Sequence, residues 1–193
     1  MVKVFNQELS DKHDKECRET SAVVFEQINC DLEEYINEKA ENYKRKADVV
    51  FKTSQGDLFL VDVEYKGDRR WYFEQVKSKA YPFPFNTLDY AARKFETSAK
   101  IYADYMMTFN GDYTLAGIVH RDYVKCGIRY NKWDKMTKSK EAYYGAPIEK
   151  VLWVRKDENN NWLAFKASNK TWKPFTWKIF EAYMFLKKDV VTQ

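Results

Sequence analysis

At 193 residues, with 45% apolar, 32% charged and 17% aromatic side chains, the chain is long enough for one domain with a good-sized core and unlike disordered or fibrous compositions. Its longest apolar runs, Ala22 to Phe25 and Leu58 to Val61, are far too short to span a bilayer, and the amino terminus has no apolar signal region, so the expectation is a cytoplasmic protein with no membrane segment. The net charge of +4 permits contact with a polyanion without requiring it.

From Asp14 to about Ile28, Cys17, Ser21, Val24, Phe25 and Ile28 recur at helical spacing, which predicts a first helix. Leu32, Tyr35 and Ile36 continue the pattern after Asp31, either as a second short helix or inside a longer one. The period then changes to two. Ala47 to Phe51, a turn at Ser54 to Asp57, and Leu58 to Lys66 predict a β-hairpin. Alternation along its second strand sends Phe59, Val61, Val63 and Tyr65 to one face and Leu58, Leu60, Asp62, Glu64 and Lys66 to the other.

After the charged loop Asp68-Arg69-Arg70 come the aromatic run Trp71-Tyr72-Phe73 and the turn-rich Tyr81-Pro82-Phe83-Pro84. Leu88, Ala91, Ala92, Phe95, Ala99 and Tyr102 predict a second helix over Thr87 to Tyr105, and the turn Asn110-Gly111-Asp112 leads to a strand from Tyr113 to His120. Asn131 to Ala142, lysine-rich and poor in apolar residues, reads as a loop and is where any domain boundary belongs. Val151 to Lys156 and Trp162 to Ala167 predict a second hairpin, and Trp177 to Leu186 a closing helix. This order implies an α/β fold, a mixed sheet with helices on both sides. The chain is expected to be a single domain over 1–193, with a core of approximately 14–125 and a β-rich aromatic elaboration of approximately 143–193. The tryptophans of the carboxy-terminal third, Trp133, Trp153, Trp162, Trp172 and Trp177, are expected to pack a core or a dimer interface.

Cys17, Cys30 and Cys126 are an odd, widely spaced set that suits neither disulfides nor zinc, so they read as reduced core thiols. With His13 and His120 the only histidines, a metal site would have to rest on carboxylates, which favours magnesium or manganese. Glu64 and Lys66 leave one face of one strand roughly 6.6 Å apart, and Asp48 arrives from the paired strand. Phosphodiester hydrolysis needs a divalent ion, an activated water and stabilisation of the leaving oxygen, and this set of side chains suits that need. The plain alternative is an exposed hairpin whose Glu64 and Lys66 pair across solvent, worth about 0–1 kcal/mol.

The stretch Tyr43 to Gly67, with Lys44-Arg45-Lys46 before Ala47-Asp48-Val49-Val50 and then Val63-Glu64-Tyr65-Lys66-Gly67 after the turn, resembles the PD-(D/E)xK nuclease superfamily of restriction endonucleases, resolvases and exonucleases. The resemblance implies a restriction-endonuclease-like fold and a Mg2+- or Mn2+-dependent DNA endonuclease, in many relatives of this size a homodimer. It further implies that Asp48 and Glu64 bind the metal with help from the Tyr65 carbonyl, and that Lys66 positions or activates water. Ala47 departs from the proline common in the motif. An acidic residue from the first helix often completes such sites, and Asp14, Glu16 and Glu19 are all candidates. Asp62 either joins the metal site or forms a structural ion pair.

Lys44, Arg45, Lys46, Arg69 and Arg70 are the candidate contacts to DNA phosphates, with Lys77, Lys79, Arg93 and Lys94 also near in sequence. Trp71, Tyr72 and Phe73 are core residues or, less simply, a stacking surface for unpaired bases. His120 and Arg121 would lie near the centre if their strand were a parallel neighbour of the catalytic one. Two alternatives share the same residues: a non-catalytic nucleic-acid-binding protein on a nuclease-like scaffold, and an exonuclease or RNA-directed nuclease.

Overall fold

The computed structural model describes residues 7–36, 45–66, 87–96, 101–134, 139–166 and 171–185. The first helix, α1 (Gln7–Glu26), starts earlier than its periodicity announces. It buries the predicted stripe of Cys17, Ser21, Val24 and Phe25, with Ile28 just beyond it. Asn29 stops the helix by turning to φ 60°, a left-handed conformation that asparagine tolerates better than most residues.

The next segment is a strand rather than a helix. Cys30–Tyr35 forms an edge strand, β1, antiparallel to β3 (Val49–Thr53) with an irregularity between Leu32 and Glu34. Only Cys30 of its six residues is buried, so β1 never shows the alternation that would have identified it. Between them lies the two-residue strand β2 (Arg45–Lys46), paired in parallel with β6 (Ile101–Tyr102).

The hairpin forms as expected. Strand β3 pairs with β4 (Leu58–Tyr65), Val49 opposite Val61 and Phe51 opposite Phe59. The Thr53 hydroxyl accepts from the amides of Gln55 and Asp57, and Gly56 takes φ 92° at the bend. Phe59, Val61 and Val63 enter the core beneath α1, while Leu60 packs on the opposite side. Full burial of Phe25 against Phe51 and Phe59 contributes about 2–3 kcal/mol.

The helix expected over Thr87 to Tyr105 is replaced by β5 (Thr87–Ala91), a four-residue helix α2 (Arg93–Glu96), β6 and β7 (Tyr105–Phe109). Pairing of β5 with a later strand overrides a spacing that suits either structure. All five residues of β7 are buried, which removes any polar alternation. Strand β7 runs parallel to β4, Glu64 opposite Thr108, and antiparallel to β8 (Leu115–His120).

Strands β11 (Leu152–Lys156), β12 (Trp162–Lys166) and β13 (Thr171–Pro174) extend the sheet, giving the order β1-β3-β4-β7-β8-β11-β12-β13. Among the described residues, the β4–β7 step is the only parallel one in this sheet.

Helix α1 and α4 (Trp177–Phe185) cover one face, where Phe180 meets Phe25, Phe59 and Tyr105. The other face is covered mainly by a second sheet rather than by the expected layer of helices. Its order is β5-β10-β9, from β9 (Ile128–Asp134) and β10 (Ser139–Pro147). Leu88, Tyr90 and Ala146 from this sheet meet Val50, Met106, Val119 and Trp153 of the large one. A short helix, α3 (Arg121–Lys125), precedes β9.

The described part of Asn131 to Ala142, expected to be a loop, therefore lies in β9 and β10, with Lys132 on the first and Lys140 on the second, and residues 135–138 lie outside the described residues. Trp153 and Trp162 are buried, and Trp172 and Trp177 are partly so, but Trp133 is 61% exposed. Cys17 and Cys30 are core thiols as expected, and Cys126 is not, being exposed at the end of α3. No described helix is long and apolar enough to cross a membrane.

Candidate active site

Asp48 sits where β3 and β4 part. Its amide donates to the Val61 carbonyl at 2.9 Å and its carbonyl accepts from the Ile36 amide at 2.9 Å, so the backbone is tied to both neighbouring strands. Its side chain is equally committed. Oδ2 accepts the Val63 amide hydrogen at 2.7 Å and Oδ1 accepts from Arg18 Nη2 at 3.2 Å. Arg18 also donates to the Ile36 carbonyl at 3.3 Å.

Asp62, Glu64 and Lys66 follow along the face of β4 turned to the second sheet. Glu64 Oε2 lies 3.2 Å from Lys66 Nζ and Glu64 Oε1 lies 2.8 Å from Lys94 Nζ. The same Lys94 ammonium donates to Asp62 Oδ2. Two largely buried carboxylates thus share one cation delivered by α2. Lys66 is held from the second sheet: Nζ donates to the Asp89 carbonyl and lies 4.8 Å from the centre of the Tyr90 ring, a cation–π contact. Tyr90 in turn accepts the Thr108 hydroxyl at 2.9 Å, which ties it to β7.

The electrostatics follow from burial and from these partners. Burial pushes the Asp62 carboxyl up; Lys94 opposes this, Asp48 and Glu64 add to it, and the group ends at about 8. Burial pushes Glu64 in the same direction, but Lys94 and Lys66 together outweigh it and hold the carboxyl down at about 2. For Lys94, burial favours losing the proton, and Asp62, Glu64 and Asp48 more than reverse that, so it stays protonated above the ordinary lysine range. Among the described residues, the centre holds three carboxyl groups, Asp48, Asp62 and Glu64, and three cations, Arg18, Lys66 and Lys94, with Asp62 the one that keeps its proton at neutral pH.

The predicted trio of Asp48, Glu64 and Lys66 is brought to one region, although Asp48 is turned toward Arg18 and the β4 backbone. The side chain of Tyr65 points to the α1 side, stacked on His13 with centroids 3.7 Å apart, so only its carbonyl remains as a candidate ligand group. Glu16 lies with Lys12 and His13, and Glu19 with Lys15, while Asp14 is exposed. The residue α1 brings to Asp48 is Arg18. Lys44, Arg69, Arg70, Lys77, Lys79 and Trp71-Tyr72-Phe73 lie outside the described residues, and Arg45 and Lys46 enter only through the backbone of β2.

His120 is not near the centre. Strand β8 runs antiparallel to β7, placing His120 opposite Tyr105, at the far end from Thr108 and Glu64. There it lines a cavity of about 300 Å³ with Asp57, Asp104, Tyr105, Trp177 and Glu181.

Asp62 was legible from strand alternation as a neighbour of Glu64. Lys94 was noted only as one of the basic residues near the centre in sequence that could meet phosphate; its place between Asp62 and Glu64 was not legible, since nothing in its local pattern sets it apart among 33 lysines and arginines.

As the side chains stand, no group of three or more His, Cys, Asp or Glu among the described residues is placed to hold a metal ion. Asp62 and Glu64 nevertheless converge on a single point, and carboxylate oxygens suit magnesium or manganese. Comparison of the chain with models of protein families, with curated proteins and with solved structures finds no match.

Proposed function

We propose that this protein is a Mg2+- or Mn2+-dependent DNA endonuclease with a restriction-endonuclease-like core, working in the cytoplasm as a homodimer. The observation that carries the reading is the pair of largely buried carboxylates, Asp62 and Glu64, aimed at one cationic point beside Lys66. A divalent ion there supplies charge neutralisation of the scissile phosphate and a more acidic water. Glu64 would hold it with Asp48, the Tyr65 carbonyl and, beyond the sequence motif, Asp62. Lys66, fixed by the Asp89 carbonyl and the Tyr90 ring, orients the attacking water and stabilises the charge that develops on the phosphate. The order of helix, antiparallel strands and a further strand parallel to β4 supports this reading, although β5 and the short α2 stand where a crossover helix was expected.

The second reading, a nucleic-acid-binding protein that no longer cleaves, is favoured by the ion pairs that already satisfy Asp48, Asp62 and Glu64. Incubation with supercoiled and linear DNA in Mg2+ or in chelator separates the two. The endonuclease nicks or linearises circular DNA only with the metal, and Glu64→Gln abolishes this while DNA affinity persists. Binding without metal-dependent cutting of either form establishes the scaffold, whereas cutting of linear DNA or of RNA alone identifies an exonuclease or an RNA-directed enzyme.

A further inference from the structure

We propose that Lys94 is a tethered occupant of the cation site, holding the Asp62–Glu64 pair until a divalent ion displaces its ammonium. The inference rests on the metal-dependent reading above and adds to it a competitor built into the chain.

Charge balance is the first argument. Even with Asp62 giving up its proton, three carboxylates face three cations in a largely buried centre, so a dication entering without loss of a resident cation would leave an excess of two positive charges where solvent screens them poorly. One of the resident cations must leave. Distance points the same way: the ammonium holds Glu64 Oε1 at 2.8 Å, whereas magnesium draws its oxygen ligands to about 2.1 Å. The two occupants exclude each other.

Anchoring decides which cation departs. Arg18 keeps a bond to the Ile36 carbonyl besides Asp48, and Lys66 keeps the Asp89 carbonyl and the Tyr90 ring besides Glu64. Among the described residues, the bonds of the Lys94 ammonium go to Asp62 and Glu64 alone. Its stem is four flexible carbons, and the neighbouring Phe95 is buried against Tyr90 and Tyr144, which anchors α2 while the lysine swings away.

Calorimetric titration of the full chain with Mn2+, in the parent, in Lys94→Met and in Lys94→Gln, tests this. The expected result is that both variants bind the ion at least about tenfold more tightly than the parent. Equal or weaker binding in the variants removes the competitor role and leaves the metal reading intact. No binding in parent or variants removes both.

Should the variants fail to fold, the parent alone suffices. The ammonium protons of Lys94, shielded by their bonds to Asp62 and Glu64, are expected to exchange slowly by NMR in the metal-free parent and to lose that protection on Mg2+ saturation. Their persistence with the ion bound overturns the proposal.

Discussion

The Asp48 carboxylate closes the ladder between β3 and β4 by accepting the Val63 amide hydrogen at 2.7 Å. This residue therefore has a structural duty that precedes any catalytic one. Asp48→Ala would leave a buried amide without an acceptor and Arg18 without its counter-charge, and is expected to cost about 3 kcal/mol of stability. Asp48→Asn keeps an acceptor for Val63 and should cost distinctly less. Urea unfolding of both variants checks the ranking, and a lost activity in Asp48→Ala is interpretable only beside it. Equal stabilities would show that the Val63 bond contributes nothing.

Asp62 gives stability a pH dependence with a definite sign. Its carboxyl rises from the ordinary 3.8 to about 8 in the folded chain, so between those values the folded state keeps a proton that the unfolded state has lost. Stability from this group is complete below about pH 4 and is lost as pH climbs toward 8. Glu64, held at about 2 against 4.5 when unfolded, has the opposite sign, its stability complete above about pH 5.5 and lost only below that. In chelator, the unfolding midpoint of Asp62→Asn relative to the parent should increase from about pH 5 to about pH 8.5. A constant difference would mean that Asp62 is ionised throughout.

The thiols offer a direct check of burial. Cys126 is exposed, whereas Cys17 and Cys30 are buried, and burial pushes both of their thiols up, Cys30 to about 12. Only the thiolate reacts. A thiol reagent at neutral pH should modify Cys126 at once and reach the other two only on unfolding. Rapid modification of all three would contradict the packing beneath α1.

Gly127 tests the second sheet. A β-carbon there would lie 2.1 Å from the Gly145 carbonyl oxygen, and a backbone oxygen cannot rotate out of the way. Gly127→Ala is therefore expected to lower stability by about 2 kcal/mol or more, seen as a drop in the denaturation midpoint. No change would show that the junction between α3 and β10 is looser than the structure has it.

The hairpin was readable in advance because both of its signals are local: alternation along Leu58 to Lys66 and turn residues at Ser54 to Asp57. Strand β1 hid itself by being exposed on both faces, and β7 by being buried on both. Strand β5 shares its apolar positions with a helix and owes its conformation to β10, more than fifty residues away. The site divides along the same line. Asp48, Asp62, Glu64 and Lys66 declare themselves by position on two adjacent strands. Arg18 and Lys94 depend on how distant elements close over those strands, which no local spacing encodes.

Lys66 takes its acceptor from Asp89, and Asp89 belongs to a strand whose register is set by Tyr143 to Pro147. A fragment stopping near residue 125 would contain every residue of the sequence motif and yet lack the ribbon that keeps this lysine aimed. The chemistry of the amino-terminal half is thus mortgaged to the carboxy-terminal half, and shortening the gene product from that side would silence the centre without touching one of its side chains.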